Sequence, residues 1–376
     1  MWDFKQNKSI CVYPYVHKHF NLENQEALCC FGKASYGNIG KNNFQIRQEI
    51  IQKIEKGNFI KGCEVCYKRE NDGFISHRVE KSKQWIKRHG IPNEIKFQWF
   101  DIRNDDTCNL KCKYCGPYAS SQWKKELDIP VKRKKPLDIT DKEIEECKVW
   151  YQAGGEPFLN QPFYDIIVKF GQLNPNIEIV INSNLSNISG KWFDALSKLT
   201  NLTITASIDA SGKLLTYLRY PVTEERITKS IQNIYKYTNA TILAGPTASN
   251  LSIHAFDNTY RYFKNNLKDI SQLDLGIVNE PKEYTISAIP LDERQIYIDT
   301  TEYVIKQIKN DSKSIRKMII LDRLNNILHK LTNDQYDKNL HLKLKQSITT
   351  QDQKRNLKLH EVDAFLNDWV FNKYAI

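Results

Sequence analysis

The apolar positions change their period along the chain, and the changes divide it into three stretches. In residues 45–56 (QIRQEIIQKIEK), Ile46, Ile50, Ile51 and Ile54 recur at helical spacing, with Gly57 as the stop. Before it, residues 11–30 read as a hairpin, with Val12, Val16 and Phe20 ahead of a polar turn at 23–26 and a return over 27–29. Residues 70–88 read as polar and helix-rich, with Trp85 and Ile86 as docking residues, and Gly90 and Pro92 punctuate the end. From Ile95 the pattern becomes strand, loop, helix, repeated. Strands are predicted at 95–102, 148–152, 177–181, 202–208, near 241–245 and near 273–278. From Leu291 onward helical periodicity dominates, over 291–309, 314–331 and roughly 335–371, with Ile305, Ile308, Ile315, Met318 and Ile319 as the apolar face. The predicted class is α/β. An N-terminal module spans 1–94, parallel β/α units span 95–290 and a helical region spans 291–376. Six units fall short of the eight of a closed barrel, so an open, partial (β/α)6 barrel of the TIM type is expected.

Composition narrows the setting. The 376 residues are 40% hydrophobic and 26% charged, ordinary for a globular protein. No apolar run reaches the roughly 18–20 residues of a membrane span, so no membrane partner is expected. The start, MWDFKQNKSICVYPYV, lacks the apolar core of a secretory signal, so a cytoplasmic location is expected. A net charge of +11 can attract nucleic acid, nucleotides or acidic peptides. Apart from VKRKK at 131–135, however, the basic residues are scattered through a chain rich in Lys, Asn and Ile. A solvated surface is therefore favoured over a nucleic-acid partner. Nine cysteines without a secretion signal suit metal or redox use better than disulfides. Cys147, alone in DKEIEECKVW, reads as a buried small hydrophobe.

The chemistry concentrates after the first strand of the β/α region, in TCNLKCKYCG at 107–116. Cys108, Cys112 and Cys115 stand at C-x3-C-x2-C. Three thiolates on one short loop can hold three irons of a 4Fe–4S cube and leave the fourth iron open. The C-x2-C half also suits zinc. Polar residues close the later strands: Gly154-Gly155-Glu156-Pro157 after the second, Asn182 and Ser183 after the third, Ser207 and Asp209 after the fourth. Tyr217-Leu218-Arg219 follows.

The spacing, with Tyr114 just before the last cysteine, and the order of these elements resemble the radical S-adenosylmethionine (SAM) superfamily. The resemblance implies that the open iron is chelated by SAM. It also implies that an electron from the cluster cleaves SAM to methionine and a 5′-deoxyadenosyl radical, which abstracts hydrogen from substrate. Cys108, Cys112 and Cys115 would ligate that cluster. Tyr114, Gly154, Gly155, Glu156, Asn182, Ser183, Ser207, Asp209 and Arg219 would contact SAM, the planar guanidinium of Arg219 suiting its carboxylate. A reducing partner such as flavodoxin or ferredoxin is implied as well. Ser120, Ser121 and Trp123 in CGPYASSQW fit the same subgroup.

Five cysteines lie in the N-terminal quarter. Cys11 and Cys29 or Cys30 from the hairpin, with Cys63 and Cys66 from GCEVCYKRE, supply four thiolates. Four suffice for a tetrahedral zinc or for a fully ligated 4Fe–4S cluster. His17 and His19 read as ordinary hairpin side chains. The pattern resembles the auxiliary-cluster twitch or SPASM-like module of radical SAM proteins, here ahead of the barrel. The resemblance implies a second 4Fe–4S cluster and favours Cys29 over Cys30, since neighbours on a strand point to opposite faces. The segment ITTQDQKRNLKLHEVDAFL resembles the tail of the same group and carries no assignable chemistry. The expected activity is oxidative modification, a dehydrogenation or a crosslink, of a peptide or protein. A sugar, nucleotide or RNA substrate is the alternative within the same chemistry. A non-catalytic iron–sulfur or zinc scaffold is the alternative outside it.

Overall fold

The computed structural model describes residues 2–4, 6–30, 43–131, 134–268, 273–311 and 316–374. Its strands are β1 (His17–Phe20), β2 (Glu26–Ala27), β3 (Trp99–Ile102), β4 (Val149–Gln152), β5 (Glu178–Ser183), β6 (Asn201–Ala206), β7 (Thr241–Ala244), β8 (Thr247–Ala248) and β9 (Gly276–Ile277). Two compact units interleave along the chain. One comprises Met1–Asp106, Lys132–Ile181 and Asp194–Leu202; the other comprises Thr107–Val131, Asn182–Phe193 and Thr203–Ile376.

In the first unit β1 and β2 form a hairpin shorter than expected, His19 opposite Ala27 and Phe20 opposite Glu26, because Tyr13–Val16, read as part of its first arm, is a turn of helix. Its turn is closed by Asn21, whose side-chain oxygen accepts the N–H groups of Glu23 and Gln25 at 3.0 and 2.9 Å. Asn24 takes the left-handed conformation (φ +60°) that Asn tolerates. β1 then pairs parallel with β3, from His17 opposite Trp99 to Phe20 opposite Ile102, so the hairpin continues a parallel sheet. β3 pairs parallel with β4, and β4 with β5. All four residues of β3 are buried, as a strand flanked on both sides requires. Val12, Tyr13, Tyr15, Val16, Trp85, Trp99 and Val149 form one core cluster. The helix Asn43–Glu55 stops before Gly57 (φ +68°) as its periodicity predicts. The stretch from 70 to 88 resolves into the end of Glu64–Asn71 and a second helix, His77–His89, capped by Ser76. Cys147 is buried with its sulfur 3.4 Å from the Val149 carbonyl oxygen.

In the second unit β6 and β7 pair parallel from Thr203 opposite Thr241 onward. The expected sixth strand is reduced to a bridge from Leu273 to Ala244 and a two-residue β9 paired with β8. The α/β class, the parallel sheet and the helical C-terminal region thus hold. Two helical expectations need correction. The last long helix, Lys338–Arg355, ends at Asn356, which adopts the left-handed cap conformation (φ +50°), and only short helices, Leu359–Val362, Ala364–Asn367 and Asp368–Asn372, follow. Within Arg316–Asn333 the buried face is Ile320, Leu324, Ile327 and Leu331, whereas Met318 is 68% exposed. Ile315 lies outside the described residues. Among the described residues no helix is long and apolar enough to cross a membrane.

Arg47 ties the hairpin to helix Asn43–Glu55. It is fully buried, donates to the carbonyl oxygens of Tyr13 and Pro14 at 3.1 and 3.3 Å, and pairs with Glu26 at 3.3 Å. Arg47→Ala removes the cation paired with the largely buried Glu26 and leaves the Tyr13 and Pro14 carbonyls without this donor. The expected loss is about 3–5 kcal/mol of stability, the cost of breaking a buried pair on one side. Denaturant unfolding of the variant checks this; an unchanged midpoint contradicts it.

Candidate functional site

The three-cysteine loop lies in the second unit and has no helix or strand of its own. Its backbone is fixed from outside. The Lys111 and Lys113 N–H groups donate to the Tyr220 and Leu218 carbonyls at 2.7 and 2.8 Å. Ser120 Oγ donates to the Leu110 carbonyl at 2.7 Å, Ser121 Oγ bridges the N–H and C=O of Cys108 at 3.1 Å each, and Trp123 Nε1 donates to the Cys112 carbonyl at 3.0 Å. These are the three side chains that the sequence singled out after the loop, and each satisfies a loop backbone group.

The thiols carry donors. Leu110 N–H lies 3.5 Å from Cys108 Sγ and Asn184 Nδ2 lies 3.9 Å from it. Asn184 also donates to Asn109 at 3.1 Å, and Asn109 to Ser186 at 2.7 Å. Arg219 Nη1 lies 3.9 Å from Cys112 Sγ. Burial pushes the Cys112 thiol up; Arg219 opposes this, while Cys115 and Cys108 add to it. Arg219 is itself oriented by Asp209, with Nε 2.5 Å from Oδ2 and Nη2 3.0 Å from Oδ1, and Thr247 N–H donates to Oδ1 at 2.7 Å. Asp209 is therefore committed to Arg219 and Thr247. Ser183 Oγ accepts the Leu185 N–H at 2.9 Å. The Ser207 N–H donates to the Ser183 carbonyl at 2.8 Å, which joins those two strand ends. The Tyr114 hydroxyl is buried without a hydrogen-bond partner among the described residues.

A second set of residues, which the sequence did not reveal, comes from helix Lys338–Arg355. Lys113, between Cys112 and Cys115, has a fully buried side chain that ion-pairs with Asp352 and sits 4.0 Å above the Tyr217 ring. Burial lowers its pKa to about 8 against the pull of Asp352. Tyr217 donates to the other Asp352 oxygen at 3.0 Å, and Gln351 donates to the Lys113 carbonyl at 3.3 Å. Arg355 donates to the Lys111 carbonyl at 2.8 Å and forks onto Glu126 at 2.9–3.2 Å. The available signal was four polar residues, Gln351, Asp352, Lys354 and Arg355, in a helix otherwise read as packing.

Gly154, Gly155 and Glu156 lie in the first unit. Gly154 has φ +114°, and a Cβ there would stand 2.5 Å from the Asp105 carbonyl oxygen. Gly155 N–H donates to that same oxygen at 2.8 Å. Asn160 donates to the Asp105 side chain at 2.6 Å while capping helix Gln161–Leu173. Glu156 is buried and accepts the Phe158 N–H at 3.1 Å. The glycines thus serve a close approach between the ends of β3 and β4.

Also in the first unit, Cys11, Cys29, Cys63 and Cys66 line one cavity, together with Tyr13 and Arg78. Cys30 does not line it. Burial raises the Cys30 thiol to about 11, with Arg103 opposing and Asp101 adding to the rise. His17 and His19 face Asp101 at 3.9 and 3.2 Å rather than the cavity. Asp101 in turn is held by Arg103 through two hydrogen bonds of 2.9 and 3.2 Å. Among the described residues, no group of three or more His, Cys, Asp or Glu side chains is arranged, as it stands, to hold a metal ion.

A parallel α/β protein with a three-cysteine loop beyond a strand end defines the class. Residues 106–262 match the family model described as Radical SAM superfamily, and that segment carries a radical SAM superfamily domain. The chain is 30% identical over 83 residues to a GTP 3′,8-cyclase of Streptomyces coelicolor, covering 21% of this chain and 24% of that protein. It is 29% identical over 154 residues to a GTP 3′,8-cyclase of Psychromonas ingrahamii, covering 40% of this chain and 42% of that protein. Among solved structures it resembles Streptococcus suis SuiB bound to S-adenosylmethionine, at 16% identity and TM-score 0.40, over 72% of this chain and 60% of that one. It also resembles anSMEcpe with bound AdoMet, at 18% identity and TM-score 0.41, over 55% and 59%. The chain therefore spans less than half the length of these curated relatives and about three fifths of these solved structures.

Two outcomes follow. Gly154→Ala forces a side chain into positive φ and against a carbonyl oxygen, and is expected to cost about 1–3 kcal/mol, read as a lower melting temperature; an equal melting temperature contradicts the strain. His17 is kept neutral because burial, against the pull of Asp101, lowers its pKa to about 3, with Nδ1 3.0 Å from the Leu28 carbonyl oxygen. Its folded pKa lies below the unfolded one, so the unfolded chain binds the extra proton and stability falls as pH drops from about 6.5 toward 3. Between pH 7 and 5 the loss from this residue is about 2 kcal/mol. Unfolding at both pH values should show a shallower pH slope in His17→Gln than in the parent; identical slopes contradict the assignment.

Proposed function

We propose that this chain is a radical SAM enzyme whose catalytic cluster is held by Cys108, Cys112 and Cys115. The observation that carries the reading is the three-thiol loop itself, pinned at its carbonyls and provided with Arg219 within 3.9 Å of Cys112 Sγ. In number and kind, three thiols on one loop match the ligand set of a site-differentiated 4Fe–4S cluster. Three thiols leave one iron without a protein ligand, and the buried Arg219 and N–H donors stand beside the thiols to offset thiolate charge. Cys108, Cys112 and Cys115 would hold the cluster, which would supply the one-electron reduction of SAM that yields methionine and a hydrogen-abstracting 5′-deoxyadenosyl radical.

The chain's own residues bind and orient. Arg219, aimed by Asp209, offers a guanidinium to the SAM carboxylate. Gly154 and Gly155 shape the turn that leads into Glu156. Tyr114, Asn182, Ser183 and Ser207 supply the remaining contacts. Lys113, Asp352 and Arg355 hold the loop rigid. Cys11, Cys29, Cys63 and Cys66 ligate an auxiliary 4Fe–4S cluster, which suits a net oxidation of substrate; their shared cavity supports Cys29 over Cys30.

The leading substrate class is a peptide or protein, modified by dehydrogenation or crosslinking, with a flavodoxin or ferredoxin as reductant. A nucleotide substrate is the second reading, favoured by the two GTP 3′,8-cyclase relatives. Anaerobic reconstitution tests the proposal. About eight irons per chain, two cubes of four, and 5′-deoxyadenosine formed from SAM and dithionite are expected. Cys112→Ala should abolish that product, whereas Cys63→Ala should retain part of it. GTP consumption in the same assay would select the nucleotide reading. Zinc in place of iron, or full SAM cleavage by Cys112→Ala, would sink the assignment and leave a scaffold.

A further inference from the structure

The four-cysteine cavity contains a cation. Arg78 is 4% exposed and lines the cavity with Cys11, Cys29, Cys63 and Cys66. Its Nη1 donates to the Ile10 carbonyl at 2.6 Å, its Nη2 pairs with Glu70, and its guanidinium lies 5.6 Å from the Tyr67 ring centroid. Those contacts leave its Nε–H buried with no hydrogen-bond partner among the described residues. A buried guanidinium N–H without an acceptor is costly unless a ligand supplies one. Arg78 also stands in the first turn of helix His77–His89. The helix N-terminus and the side chain therefore bring positive charge to the same place.

The other groups around the cavity do not provide that charge. Burial lowers the pKa of His77 to about 3, which leaves it neutral, and its Nε2 is 2.9 Å from the Tyr13 hydroxyl. Glu70 and Glu64 are acidic, and Glu64 accepts the Gly62 N–H at 2.8 Å.

We propose that Arg78 is the positioning residue of this cavity, its Nε–H hydrogen-bonding to a sulfur of the anionic metal–sulfur group held by Cys11, Cys29, Cys63 and Cys66. The proposal rests on the auxiliary-cluster reading above. A fixed cation and an N–H···S bond stabilise a metal–sulfur group more in its reduced, more negative state, so they raise its reduction potential. Glu70, which shares the guanidinium, tempers the effect. Arg78 thus sets how readily the auxiliary group takes up an electron.

The test isolates the N-terminal site in the full chain by replacing Cys108, Cys112 and Cys115 with Ala, then reconstituting with iron and sulfide. Metal content is measured first, and the midpoint potential is then followed by EPR and absorbance. About four irons are expected, for one cube. Arg78→Gln should lower the potential and hasten iron loss to a chelator. Arg78→Lys, which keeps charge but lacks Nε–H, should fall between, and Glu70→Gln should shift the potential upward. If Arg78→Gln does not fold, the order of Arg78→Lys, parent and Glu70→Gln still decides. Full iron content with unshifted potentials in these variants overturns the role of Arg78 while leaving the cluster intact. One zinc and no iron in the parent overturns the cluster reading, and the proposal with it.

Discussion

The buried ion pair between Lys113 and Asp352 is the constraint on which the cysteine loop depends. A lysine placed between two cysteines has its charge entirely out of water, and it is acceptable there only because a carboxylate meets it. Asp352 is in turn fixed by the Tyr217 hydroxyl, and Gln351 and Arg355 reach the loop carbonyls from the same helix face. A loop without helix or strand of its own thus acquires one geometry from a helix more than two hundred residues away in sequence. The cost of an unmatched buried charge makes the arrangement close to all-or-none. Reactive sulfur positions gain definition from this rigidity, in the way that the supports of a metal site orient its ligands.

The strand pattern was largely legible in the sequence because apolar runs bounded by turn residues announce buried parallel strands. The expected strands at 148–152, 177–181 and 241–245 fall on β4, β5 and β7 almost to the residue. The first was read too long, since only Trp99–Ile102 of 95–102 pair as a strand. The C-terminal helices were legible in existence but not in face. Met318 fits an apolar spacing and yet is exposed, because the partner surface selects Ile320 and Leu324, which lie on another face of the helix. Asn356 could not be recognised as a helix end by composition, since it acts through its left-handed backbone.

The candidate site was legible where a residue type is itself rare chemistry and illegible where ordinary residues act through distance. Cysteine spacing marked both thiol sets, and the Gly-Gly pair marked a turn. The structure supplies a different reason for Gly154, which is needed for contact with the Asp105 carbonyl of its own chain. Strand alternation favoured Cys29 over its neighbour Cys30, and Cys29 is the one of the two that lines the cavity. Lys113, Asp352 and Arg355 are common residue types at long separation, so no local pattern could single them out. Arg78 belongs to the same category: its meaning comes from burial and an unmatched N–H, neither of which a sequence displays.

The central claim is that three thiolates leave a metal corner open for SAM. The most direct measurement is the EPR spectrum of the reduced, iron-reconstituted chain, recorded without SAM and then with SAM labelled with 15N at the amino group and 17O at the carboxylate. Direct chelation predicts altered g-values on addition and hyperfine coupling to both labels. A spectrum that shifts on adding SAM in neither position nor linewidth, and carries no coupling to either label, would contradict the account.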